Sequence, residues 1–166
     1  MISMPAITLL LHNIRSTHNV GAIFRTADGL GVSRIVMTGY TPYPRLPGDS
    51  RLPHLADKLH RQIEKTALGA TASVAFEYHD NLLTWLKSNT LPLVALEQDR
   101  RSVPIDTFIP PEEFVLVLGE EVDGIPIELL RECESIVEIP MVGSKESFNV
   151  SIAAAIALYA LNRRAI

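Results

Sequence analysis

The chain has 166 residues, a length that fits one domain able to bury most of its potential core surface. Its residues are 47% hydrophobic and 20% charged, as in a compact globular protein, and the single cysteine excludes an internal disulfide framework and a thiolate-rich metal site. The formal net charge of −4 argues against a protein that coats nucleic acid through general positive charge.

Strands and helices are predicted to alternate along the chain. Short apolar runs are typical of buried strands, and apolar residues three or four positions apart are typical of helices. In chain order we predict strand 7–12, helix 19–30, strand 34–38, helix 55–68, strand 74–78, a short helix capped by Asp80, strand 93–96, strand 114–118, a short helix opened by Pro126, strand 136–139 and helix 149–163. Several strands are apolar on both faces, which predicts an α/β domain whose parallel sheet carries helices on both sides.

The chain shows no secretory signal pattern at its start. Its longest apolar run, residues 152–161, is about half the roughly 20 residues that a membrane-spanning helix needs. We therefore expect a cytoplasmic protein without a membrane segment.

Basic residues are concentrated in one fifth of the chain. They follow or lie within the Pro-rich loop 39–53, and they are Arg45, Arg51, Lys58, Arg61 and Lys65. This concentration is compatible with a polyanionic partner, and a solvated helix face explains it equally well.

Three segments that follow predicted strands are unusually polar: residues 12–21, 119–124 and 143–149. Ligands of open α/β sheets bind at the carboxyl ends of strands, so these segments are candidate site elements. The third carries more hydrogen-bonding groups than a helix cap requires, which suggests a polar ligand.

Each segment also has a purely structural explanation. Asn19 can be a helix N-cap, and Gly21 can permit close packing. The segment 119–124 can be only a tight turn, although its three carboxylates need donors or cations nearby. Arg25 is expected near the buried stripe of its helix, where its guanidinium would need an anion, either a carboxylate of the second segment or a phosphate.

Several common site patterns are absent from the sequence. It has no dinucleotide-binding glycine fingerprint, no phosphate-binding loop and no nucleophile elbow. The five histidines are scattered without the spacing of metal ligands, so we predict no metal site.

The three segments together, and in this order, resemble the SpoU/TrmH family of RNA 2′-O-ribose methyltransferases, of the SPOUT class. The motifs stand at residues 19–25 (NVGAIFR), 116–124 (LVLGEEVDG) and 139–153 (IPMVGSKESFNVSIA). Two positions depart from the family pattern: Phe148 replaces the usual Leu, and Glu120 stands where Asn is common.

The resemblance implies a fold that composition does not show: a deep trefoil knot in the C-terminal third. Without it, an unknotted doubly wound sheet would be expected, because knots are rare. The resemblance further implies a single SpoU-type methyltransferase domain over residues 1–166 without an added RNA-binding domain. It also implies a homodimer with the last helix in the interface, where Ala153, Ala154, Ala155, Ala157 and Ala160 would allow close approach.

The resemblance implies S-adenosylmethionine as the cofactor. The residues expected to bind it are Leu96, Gly119, Ile139, Met141, Ser147, Phe148 and Asn149. The residues expected to serve catalysis are Arg25, Asn19, Glu121, Ser147 and Asn149. Arg25 would act either as a transient base or, as we favour, as a charged group that binds the adjacent phosphate and stabilises the developing alkoxide.

The implied substrate is RNA, with tRNA ahead of rRNA, contacted through the Pro-rich loop and Arg45, Arg51, Lys58 and Arg61. Three alternatives remain open at this point: an rRNA 2′-O-methyltransferase, an RNA-binding module of the same fold without activity, and a methyltransferase acting on another class of substrate.

Overall fold

The computed structural model describes residues 4–163, which form seven strands and six helices. In chain order they are β1 (Ala6–His12), α1 (Thr17–Gly29), β2 (Arg34–Thr38), α2 (Pro53–Ala67), α3 (Ala70–Ser73), β3 (Phe76–His79), α4 (Leu82–Ser88), β4 (Leu93–Leu96), β5 (Val103–Pro104), β6 (Glu113–Leu118), α5 (Ile127–Glu132), β7 (Ser135–Glu138) and α6 (Val150–Arg163). None of these helices is long and apolar enough to cross a membrane.

The strands form one sheet in the order β3-β2-β1-β6-β4-β7-β5, and every neighbouring pair is parallel. The central strands β1 and β6 are buried nearly throughout, which explains their continuous apolar sequence. The predicted fold class, a parallel sheet covered by helices, is confirmed. The trefoil knot stays a prediction.

The two faces of the sheet carry separate cores because side chains alternate along each strand. Leu9 and Leu11 of β1 belong to a core that includes Phe24 of α1 and Leu158 of α6. Leu10, between them, belongs to a second core that includes Trp85 of α4. The helices α1 and α6 therefore lie on the same face of the sheet, next to each other.

Two helix caps differ from the prediction. Ser16 is the N-cap of α1 and accepts a hydrogen bond from the Asn19 N–H at 3.2 Å, so Asn19 lies inside the helix with its side chain free for other contacts. Asn81 caps α4 in place of Asp80, and its side chain accepts from the Thr84 N–H at 3.1 Å.

Two short elements, the strand β5 and the helix α3, were not predicted from the sequence. The two-residue strand β5 lies in the Pro-containing stretch 98–112, and its pairing with β7 depends on tertiary contact more than on apolar pattern. The one-turn helix α3 follows α2 directly, after Leu68 and Gly69 adopt positive φ angles of 49° and 91°.

Gly21 allows α1 to approach α2 closely. A Cβ atom at this position would overlap the carbonyl oxygen of Ile63 and the hydroxyl of Thr66. We expect Gly21→Ala to lower the free energy of unfolding by about 1–3 kcal/mol, the usual cost of overpacking, measured by urea denaturation.

Gly29 provides the matched control in the same helix, because a Cβ atom there would meet nothing within 4 Å. Gly29→Ala should leave stability unchanged or raise it by up to about 1 kcal/mol through better helix propensity. Equal destabilisation by the two substitutions would contradict the close-approach explanation.

Candidate functional site

The carboxyl ends of β4, β6 and β7 border a cavity of about 570 Å³. This is the edge where parallel sheets bind their ligands. The structure brings all seven residues expected to contact the cofactor to this cavity: Leu96, Gly119, Ile139, Met141, Ser147, Phe148 and Asn149.

The cavity is strongly acidic, and we refer to it as the acidic cavity. Among residues 4–163, five carboxylate side chains line it and no lysine or arginine does; the five are Glu97, Glu120, Glu121, Glu138 and Glu146. Its remaining walls include apolar side chains such as Leu96, Ile139 and Phe148. Such a lining favours a ligand that combines a flat apolar part with cationic groups.

A chain of hydrogen bonds joins the three sequence motifs at the rim of the cavity. The Asn149 amide donates to Oδ1 of Asn19 at 3.1 Å, and the Asn19 amide donates to Oε1 of Glu121 at 2.9 Å. Glu121 also accepts from the backbone N–H groups of Arg15 and Ser16, at 2.9 and 3.2 Å. These three donors, the Asn19 amide and the N–H groups of Arg15 and Ser16, favour the ionised form of this carboxylate. Burial raises the pKa of Glu121, but these hydrogen bonds outweigh it, and the net pKa lies below the usual range.

Glu120 is buried and is held by a different set of donors. Its Oε2 accepts from the backbone N–H groups of Asp123 and Val122, and its Oε1 accepts from the Arg15 guanidinium at 3.3 Å. The hydrogen bond from Asp123, followed by the others, lowers the pKa of Glu120 despite its burial. The predicted need for donors around these carboxylates is therefore met mostly by backbone.

The turn after β6 brings these donors into place. Glu120 and Gly124 form an antiparallel bridge, and Gly124 has a φ angle of +71° that favours glycine. A Cβ atom at Gly119 would lie 2.5 Å from backbone atoms of Gly124 and Ile125. The segment is thus a tight turn as well as a wall of the cavity.

Arg25 does not lie where the sequence suggested. It is exposed on the outward side of α1, it does not line the acidic cavity, and its side chain makes no hydrogen bond within residues 4–163. Helical geometry explains the difference, since Ile23 and Phe24 point to the core and the next residue is rotated by about 100°. Arg15, which was not among the predicted site residues, is the partner of Glu120 instead.

The loop 139–149 is mostly exposed and is attached at two points. Asn149 begins α6 as a cap: its Oδ1 accepts from the Ser151 N–H at 2.9 Å, and its carbonyl accepts from the Ala153 N–H at 2.8 Å. The Gln98 amide donates to the carbonyl of Glu146 at 2.6 Å. Ser147 is exposed at the cavity and makes no hydrogen bond to the described residues. Gln98 was missed because a single amide in a polar stretch carries no sequence signal.

The predicted basic surface is smaller than the sequence suggested. The Arg51 guanidinium donates to Asp49 and to the carbonyls of Tyr43 and Pro44, and only 16% of its side chain is exposed. This pairing strongly lowers the pKa of Asp49. Arg45 forms an ion pair with Asp57.

A basic stripe remains on the exposed side of α2. It consists of His54, Lys58, Arg61 and Lys65, which are spaced by three and four residues and therefore share one face. Among residues 4–163, the three cationic side chains have no carboxylate within ion-pair distance.

The alanines of α6 do not form its exposed face as a group. Ala154 and Ala157 are fully buried in the core of their own chain. The outer face of the helix instead presents Ile152, Ile156 and Tyr159, with Phe148 just before it. We call these four side chains the α6 apolar stripe.

Within residues 4–163, no three His, Cys, Asp or Glu side chains are grouped so as to hold a metal ion. Cys133 is half-buried, and burial raises the pKa of its thiol to about 11, which leaves it unreactive near neutral pH.

Comparison with known proteins connects this geometry to a family. The 23S rRNA (guanosine-2′-O-)-methyltransferase RlmB of Bordetella pertussis is 31% identical over 96% of this chain and 60% of its own length. The tRNA (guanosine(18)-2′-O)-methyltransferase of Escherichia coli is 28% identical over 96% of this chain and 64% of its own length. The chain thus spans about three fifths of the length of these curated relatives.

A solved structure shares the fold over nearly the whole chain. The AdoMet-bound rRNA methyltransferase from Sinorhizobium meliloti superposes with a TM-score of 0.82 and 25% identity, covering 99% of this chain and 58% of that one. The SpoU rRNA Methylase family matches residues 49–159, more than half of the chain. The predicted resemblance is confirmed, and with its motifs joined around one cavity, the chain belongs to the SpoU rRNA Methylase family.

Proposed function

We propose that this chain is an S-adenosylmethionine-dependent RNA methyltransferase that acts on a ribose 2′-hydroxyl. The observation that carries the proposal is the hydrogen-bond chain from Asn149 through Asn19 to Glu121, which joins all three family motifs at the acidic cavity. Both curated relatives described above are named as RNA 2′-O-methyltransferases, and the S. meliloti structure is named as AdoMet-bound.

The acidic cavity suits S-adenosylmethionine chemically. Leu96, Ile139 and Phe148 offer apolar surface to a planar base, while the five carboxylates favour the sulfonium and ammonium charges. The cavity volume falls within the roughly 300–1,000 Å³ range of small-molecule sites. When bound, the cofactor supplies the methyl group that is transferred.

The residues of this chain then have distinct roles. Glu121, Asn19 and Asn149 hold the loops that form the cavity wall, so their role is positioning. Arg25 is the proposed catalytic residue: its charged guanidinium would bind a phosphate of the RNA and stabilise the oxygen of the 2′-hydroxyl as it loses its proton. Arg25 is exposed and its side chain has no hydrogen-bond partner among the residues that the structure describes, which supports a role toward an external anion.

We also propose a homodimer in which the α6 apolar stripe packs against its copy, and a C-terminal trefoil knot as in the family. Large side chains such as Ile152 and Tyr159 are half-exposed on one helix face, which favours burial by a partner. Since Arg25 does not line the cavity of its own chain, a dimer would also allow it to act at the cavity of the partner subunit.

We expect Ile156→Glu to dissociate the dimer, because it would bury an unpaired carboxylate in the interface. Analytical ultracentrifugation at micromolar concentration should show monomer for this variant and dimer for the wild type. Leu83→Glu, at an exposed leucine of α4, is the matched control and should leave the dimer intact. A wild-type monomer, or an Ile156→Glu dimer as stable as the wild type, contradicts this interface.

We place tRNA first among the substrates and rRNA second. The basic stripe on α2 is limited to three lysine and arginine side chains, and such a small cationic footprint favours a compact RNA. A single catalytic domain acting in the cytoplasm is part of the same proposal.

The experiment that tests the function incubates the purified protein with labelled S-adenosylmethionine and total RNA, followed by nucleoside analysis. The expected product is a 2′-O-methylated nucleoside in the tRNA fraction. Label found only in rRNA would show that rRNA, and not tRNA, is the substrate. Label only in protein, or none despite RNA binding, would overturn the proposed reaction.

A further inference from the structure

A second cleft of about 510 Å³ lies beside the acidic cavity, with Arg15 at the border between them. It is formed by the loops that follow β1 and β2, together with one side of α2. Three tyrosines line it, and we call it the tyrosine cleft: Tyr40, Tyr43 and Tyr78. Neither the family motifs nor the proposed cofactor site includes these residues.

The two clefts differ in charge. Five carboxylates line the acidic cavity, whereas no Asp or Glu in the described part of the chain lines the tyrosine cleft. The tyrosine cleft instead offers Arg15, the Thr17 hydroxyl and the Gln62 amide, besides its aromatic rings. This lining favours an anionic ligand that also carries a flat ring.

One wall of the tyrosine cleft is rigid before any ligand arrives. The Arg51 guanidinium lies 3.6 Å from the ring centroid of Tyr43, and the Tyr43 and Tyr78 rings stack with centroids 3.9 Å apart. The Tyr78 hydroxyl donates to the carbonyl of Gly39 at 2.7 Å. These contacts involve the Arg51 guanidinium and the Tyr43 and Tyr78 rings. Tyr40 takes no part in them, so its ring is available to a ligand.

Tyr40 presents its ring to solvent at the mouth of the cleft. It is 60% exposed, yet its backbone is fixed, because its N–H donates to Oδ1 of Asn13 at 3.1 Å. Neither an aromatic ring nor a cation of residues 4–163 stacks on it. Desolvation and then the nearby charge of Glu120 raise the pKa of Tyr40, which agrees with a position beside the Arg15–Glu120 pair.

Hydrogen bonds hold Arg15 in place but occupy only part of its guanidinium. Its backbone N–H donates to Glu121 and one guanidinium nitrogen donates to Glu120, while 65% of the side chain is exposed. Its other guanidinium N–H groups bond to nothing among the described residues. They are therefore available to a phosphate a short distance from the Tyr40 ring.

We propose that the tyrosine cleft binds a single-stranded nucleotide of the RNA substrate, next to the nucleotide that is methylated, with its base stacked on Tyr40 and its phosphate held by Arg15. Proteins commonly recognise unstacked RNA bases in this way. The proposal rests on the proposed RNA methyltransferase function. It gives that function a specificity subsite, because only an RNA with an unpaired base beside the target fits the cleft.

The test measures RNA binding directly, by fluorescence anisotropy with a labelled ten-nucleotide single-stranded RNA of mixed sequence and with bulk tRNA. Tyr40→Ala should weaken binding about 5- to 150-fold, the usual effect of removing one base-stacking side chain. Tyr40→Phe keeps the ring and should stay within about 2-fold of the wild type. Leu83→Ala removes an equally exposed side chain of α4 and should have no effect.

Binding of S-adenosylhomocysteine, followed by calorimetry, should be the same in all four proteins and serves as the readout that the fold is intact. Unchanged RNA affinity in Tyr40→Ala, or a Tyr40→Phe variant as weak as Tyr40→Ala, overturns the stacking role. A wild type that binds RNA in a Tyr40-dependent manner but methylates none overturns the proposed reaction and supports the cleft. A wild type that binds neither RNA probe overturns both.

Discussion

Arg25→Ala is expected to lower the rate of RNA methylation at least about 100-fold while changing the affinity for S-adenosylhomocysteine less than about 2-fold. Removal of one charged group that stabilises a developing oxyanion typically costs 100- to 1,000-fold in rate. The cofactor is unaffected in this expectation because Arg25 lies outside the acidic cavity. Single-turnover methyl transfer measures the first quantity, and calorimetry measures the second.

Two further variants sharpen this result. Arg25→Lys keeps the charge but not the planar fork, so it should recover part of the rate if Arg25 acts as a charged stabiliser. Arg101→Ala removes an exposed arginine elsewhere on the surface and should leave the rate unchanged. Near-normal turnover in Arg25→Ala would exclude the catalytic role, both as a base and as a charged group.

Glu121→Ala is expected to lower the free energy of unfolding by about 2–3 kcal/mol and to abolish measurable cofactor binding. The substitution removes the acceptor of the Arg15 and Ser16 N–H groups and of the Asn19 amide. The Ser16 and Asn19 donors are partly buried, and each such donor left unpaired costs about 1 kcal/mol or more. Loss of the same carboxylate frees the loop that forms the cavity wall. Urea denaturation and calorimetry measure the two effects.

Glu121→Gln keeps one acceptor oxygen and should show a smaller loss of stability than Glu121→Ala. Glu128→Ala, on the exposed surface of α5, is the matched control and should change stability by less than about 0.5 kcal/mol. A Glu121→Ala protein with wild-type stability would show that the hydrogen-bond chain does not fix the site.

The sequence predicts the strands well because their apolar runs are buried whichever elements cover them. It predicts helix ends less well, since Ser16 and Asn81 compete with neighbouring residues that have similar capping ability. The strand β5 escapes prediction because only its pairing with β7 defines it. Local pattern does not encode such a contact.

The candidate site was likewise predicted only in part from the sequence. The motif resemblance identified Asn19, Glu121 and Asn149, whose side chains meet in the structure. It did not identify Arg15, because a single arginine in a polar loop gives no indication of its partner. Nor did it indicate that Arg51 is internal to its loop, since the number of basic residues in a segment does not reveal which of them are already paired.

The hydrogen bond between Asn19 and Asn149 joins residues 130 positions apart. We expect contacts of such long sequence separation to close late in folding, because the entropy of a long loop must be overcome before the contact forms. The acidic cavity is therefore a product of the nearly finished fold, and a partly folded chain has no competent pocket. Its ligand can bind only the completed state and so favours it over incomplete ones. A larger supply of cofactor is therefore expected to lengthen the lifetime of the folded protein.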